Sequence, residues 1–81
     1  SLEYYKKQMV DLRARLAKEK EAKKRDNEHY ADMVKRASTT NNKAMYRRQK
    51  IDHAASHDRS IESIKRQIES CKDSIARERK R

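Results

Sequence analysis

Eighty-one residues carrying 23 Lys and Arg against 13 Asp and Glu, a formal net charge of +10, make a chain too short and too polar to enclose a large core. Charged residues make up 44% and apolar residues 33%, and Gly, Pro, Trp and Phe are absent, which argues against a turn-rich β protein and for long charged helices. No apolar run approaches the roughly 20 residues of a membrane span, no signal-peptide pattern is present, and the lone Cys71 rules out a disulfide framework within one chain. The chain does not start with Met and reads as a processed product or a piece excised from something longer; its compartment is not encoded.

In the first half, Leu2, Tyr5, Met9, Leu12 and Leu16 follow 3-4-3-4 spacing, the seam of a helix that packs against another helix. The same spacing then reaches Glu19, Lys23 and Asp26, and regains apolar character at Tyr30, Met33 and Ala37. A helix is expected over about 2–37, apolar at both ends of its seam and charged in the middle.

Ala37-Ser38-Thr39-Thr40-Asn41-Asn42 is the one plausible break, because Ser, Thr and Asn bond their own backbone in competition with helix. A turn is expected over about 38–42. Thr40 or Asn41 would cap the second helix, and Asn41 or Asn42 would end the first in the left-handed conformation.

A second helix is expected over about 43–79. Ile61, Ile64, Ile68, Cys71 and Ile75 form its seam, and the reading continues it backwards through Asp58, Ala54 and Ile51 with one phase slip. If the turn centres near residue 40, facing residues sum to about 80. Leu16 then meets Ile64, Leu12 meets Ile68, Met9 meets Cys71 and Tyr5 meets Ile75. Lys23 falls opposite Asp58, Asp26 near Ala54, and Tyr30 near Ile51. The expected fold is therefore all-α: one antiparallel two-helix hairpin domain spanning 1–81, with coiled-coil packing, two copies of which pair into a four-helix bundle. The alternative is a single long helix in a dimeric coiled coil.

Chemistry finds little to work with. His53 and His57 are four apart and share a helix face, with His29 on the other helix nearby, but Ala54 occupies the position where a zinc-protease helix needs Glu. No Gly-rich loop exists to cradle phosphate, and Cys71 on the Ile seam reads as a small buried residue, with a disulfide between two chains as the other reading. No catalytic residue, metal or cofactor is expected.

Binding is the remaining class. Ser56, Ser60, Ser63, Gln67, Ser70 and Ser74 form a stripe of small polar side chains one position before the Ile seam, smooth enough for another backbone to approach. Lys35, Arg36, Lys43, Arg47 and Arg48 would crowd the turn end of a hairpin. The expectation is a non-catalytic coiled-coil module, a scaffold or effector piece that binds a protein partner or a second copy of itself. The alternative is non-specific binding of nucleic acid or an anionic surface through the basic clusters.

Overall fold

The hairpin is built without a single residue at positive φ, which is how a chain with no Gly manages its one reversal. The computed structural model describes all residues, Ser1–Arg81. It contains two helices, α1 (Leu2–Arg36) and α2 (Thr40–Arg79), and no strand. Ser1 caps α1 by accepting from the Tyr4 amide, and Glu3 in the first turn and Lys35 and Arg36 in the last complement its dipole.

The turn is Ala37–Thr39, shorter and earlier than the 38–42 expected, and α2 begins at Thr40 rather than about 43. Ala37 and Thr39 are both extended, so the chain leaves α1 and enters α2 through β-region backbone. Thr39 is the cap: its hydroxyl accepts from the Asn42 amide at 3.1 Å. Thr40, Asn41 and Asn42 lie inside α2, and none takes the left-handed conformation. The reason is local. An extended Ala37 ends α1 by itself, so no left-handed residue is needed. Lys43 then reaches back across the turn and donates to the Val34 carbonyl, one of the orphan acceptors at the C-terminus of α1.

The two helices pack along their length into a ribbon of 64 × 14 × 10 Å, which excludes the single long helix. Met9, Leu12, Ile64, Ile68 and Cys71 form the buried cluster, and Tyr5, Leu16 and Ile75 pack against it. The Cys71 thiol donates to the Tyr5 carbonyl at 3.1 Å, so it sits inside the seam. Ile61 is buried one step further toward the turn, while Leu2, Tyr30 and Met33 are half-buried.

The α2 seam departs from the expected one at a definite point. His57 is the inward residue beside Ile61, followed toward the turn by Ala54, Lys50 and Tyr46. Asp58 is one position off the seam, and Ile51 is 67% exposed. Tyr30 accordingly meets His53, with ring centroids 4.8 Å apart, and not Ile51. The 3-4 spacing from Ile75 back to Ala54 runs without a slip once His57 is placed on it, and that phase turns Ile51 outward.

Candidate interaction surface

Where the apolar seam gives out, side chains of both helices make one connected polar layer. His57 sits between two carboxylates of α1: Nδ1 lies 2.7 Å from Glu19 Oε1 and Nε2 lies 2.5 Å from Asp26 Oδ2. A neutral imidazole has one N–H and one bare nitrogen, and a bare nitrogen against a carboxylate repels. This geometry fits the imidazolium, both of whose nitrogens donate. Hydrogen bonds to Asp26 and then Glu19 raise the His57 pKa above its ordinary value, and the hydrogen bond from His57 lowers that of Asp26.

The layer extends in both directions. His53 Nδ1 lies 3.5 Å from Asp26 Oδ2, and its Nε2 is 3.0 Å from the Tyr30 hydroxyl. The consistent tautomer carries its proton on Nδ1 toward Asp26 and accepts from Tyr30 at Nε2. On the other side, Lys23 donates to Asp58 at 2.6 Å. His29 is exposed and makes an edge contact with Tyr30. No three His, Cys, Asp or Glu side chains are arranged to hold a metal ion. His57 is already committed on both nitrogens.

Two open grooves flank the seam toward the free ends of the helices, and they differ in chemistry. The first runs along the Ser stripe. Ser60, Ser63, Gln67, Ser70 and Ser74 line its α2 wall, opposite Gln8, Asp11, Arg15 and Lys18 of α1. Ser56 is exposed beyond its end. Two of the stripe hydroxyls are engaged locally: Ser74 donates to the Ser70 carbonyl and accepts from Arg77, and Ser63 accepts from the Gln67 amide.

The second groove lies on the opposite side. Met9, Leu16, Ile68 and Ile75 show their outer edges in its floor, beside Val10 and Ala76. Basic side chains rim it. Its basic side chains lie on both helices and come together only in the hairpin.

The basic residues at the turn separate into two groups. Lys43 is occupied at the end of α1, and Arg36 pairs with Asp32 at 3.1 Å. Lys35, Arg47 and Arg48 are exposed and make no ion pair. No helix is long and apolar enough to cross a membrane. Comparison with family models, with curated proteins and with solved structures finds no match to this chain.

Proposed function

We propose that this hairpin is a non-catalytic module that binds a protein partner, or a second copy of itself, through its helix faces. The observation that carries this reading is how little the fold buries. Only six of 81 side chains are buried, and the accessible surface is 6326 Å², against about 5,100 Å² for a compact protein of this mass. The apolar seam is one layer deep, and the side chains beside it face open grooves. A coiled-coil hairpin of this kind gains from covering them. The polar layer supports the non-catalytic part: His57 is spent on binding two carboxylates of the neighbouring helix and holds the register of the pair.

The test places a photo-crosslinking residue at exposed Ser70 in the first groove and, separately, at exposed Val10 in the second. Adducts are then weighed before and after nuclease treatment, at low and high salt. Protein adducts, to a partner or to a second copy, that resist nuclease and salt support the module. Adducts destroyed by nuclease, and lost steeply between about 50 and 200 mM salt as phosphate contacts are, replace it with polyanion binding through the basic clusters.

A further inference from the structure

The rim of the second groove is two rails of positive charge. On α1, Lys6 and Arg13 are seven residues apart; on α2, Lys65, Lys72 and Arg79 repeat at the same interval, with Arg66 beside them. In the register of the hairpin the rails face each other, Lys6 across from Arg79 and Arg13 across from Lys72, each pair lining the same stretch of groove. The floor between them repeats at seven residues too, as Met9 and Leu16 from α1 and Ile68 and Ile75 from α2. Val10, on the solvent side of the Lys6–Arg13 row, lines the same groove and is 68% exposed.

A hairpin sufficient to itself places opposite charges on the two flanks of its seam. Here like charges flank it, and three carboxylates stand against six cations: Glu3, 3.8 Å from Lys6, Glu69, 3.2 Å from Lys72, and Glu62. Facing cations repel, and the repulsion is relieved when anions are laid between them. The apolar floor adds a demand that phosphates do not meet, because it gains only from contact with apolar groups. A second copy is equally unsuited, since it brings the same rails and another ten positive charges. From Lys6 to Leu16 the groove follows about 15 Å of α1, roughly three helical turns.

Resting on the reading of the chain as an interaction module, we infer that this groove takes an amphipathic helix of a protein partner, with an apolar stripe of about three turns that seats on Val10, Ile75 and Ala76 and acidic side chains on both flanks that meet the two rails.

The test uses the whole chain and two labelled synthetic peptides of about 18 residues. One has Leu at helical spacing with Glu on both flanks; the other is a permutation of equal composition with no stripe. Fluorescence anisotropy near physiological salt, about 150 mM, is expected to show the striped peptide binding at least roughly tenfold tighter than the permuted one. Val10→Asp, and separately the double variant Arg13→Glu with Lys72→Glu, are each expected to weaken it by roughly tenfold or more. Circular dichroism checks that each variant keeps its helices, which exposed positions permit. Equal binding of the two peptides, or indifference to Val10→Asp, overturns the inference, as does displacement of the striped peptide by an oligonucleotide from wild type and Val10→Asp alike. Loss of binding on Ser63→Arg and Ser70→Arg instead moves the site to the other groove, refuting this assignment while leaving the module intact. The module itself falls only with the nuclease-sensitive adducts described above.

Discussion

His57 of α2 stands on the helix–helix seam with its Nδ1 2.7 Å from the carboxylate of Glu19 on α1, so the residue next along from buried Ile61 is an ionised side chain held by the opposite helix. Its Nε2 meets Asp26, about two turns further along α1, and His53 and the Lys23–Asp58 pair border the same layer. One imidazolium therefore bridges two carboxylates that would otherwise repel each other at the centre of the hairpin.

Stability should follow the charge of this layer. The His57 pKa is raised above 6.5, so its contribution is full below pH 6.5 and is lost as pH rises through the raised value. The Asp26 pKa is lowered below 3.8, so its contribution is full above pH 3.8 and is lost as pH falls through the lowered value. The hairpin is most stable between those limits. The urea midpoint is expected to drop between about pH 5.5 and about pH 8 in wild type and to change much less in His57→Gln. Equal slopes in the two proteins would mean that the carboxylates are not held by the imidazolium.

Two isoleucines that look alike in the sequence should behave differently. Ile64 is 6% exposed in the main cluster, and Ile64→Ala is expected to cost about 2–5 kcal/mol by denaturant unfolding. Ile51 is 67% exposed, and Ile51→Ala is expected to stay within about 0.5 kcal/mol. A large loss at Ile51 would place it on a seam after all.

The contrast shows which parts of the fold were legible. The heptads from Leu2 to Leu16 and from Ile61 to Ile75 announce themselves because apolar residues hold 3-4 spacing over four intervals. The Lys23–Asp58 contact follows from their register, since antiparallel partners keep a nearly constant sum. The α2 seam toward the turn did not follow, because pattern weighs Ile51 as inward and His57 as outward. A histidine belongs on a seam only when the other helix supplies Glu19 and Asp26 at the right height, and that is a property of the pair, not of either strand of sequence. The second groove was hidden for the same reason. The Ser stripe lies on one helix and could be listed in order, whereas the facing rails of Lys6, Arg13, Lys72 and Arg79 exist only once the two helices are in register.

The Lys23–Asp58 bridge should be a modest contributor despite its short distance. Its side chains are 33% and 58% exposed, so water screens the attraction. A double-mutant cycle with Lys23→Ala and Asp58→Ala is expected to give a coupling of about 0.2–1 kcal/mol, decreasing with added salt. A coupling well above that, insensitive to salt, would mean that the pair is shielded, as it would be if another chain covered this side of the hairpin.

The turn offers the last test. Thr39 caps α2 through its hydroxyl, and no acidic residue in the first turn of α2 shares the task. Thr39→Ala removes the acceptor for the Asn42 amide and is expected to cost about 1 kcal/mol, whereas Thr40→Ala, inside the helix, is expected to be near neutral. Lys43→Met keeps the aliphatic stem but removes the donor to the Val34 carbonyl, and is expected to lose several tenths of a kcal/mol. Urea unfolding of the three variants at one pH separates these effects. If Thr40→Ala were the damaging change, α2 would begin one residue later than Thr40. The register that sets His57 against Glu19, and the rails against each other, would then have to be redrawn with it.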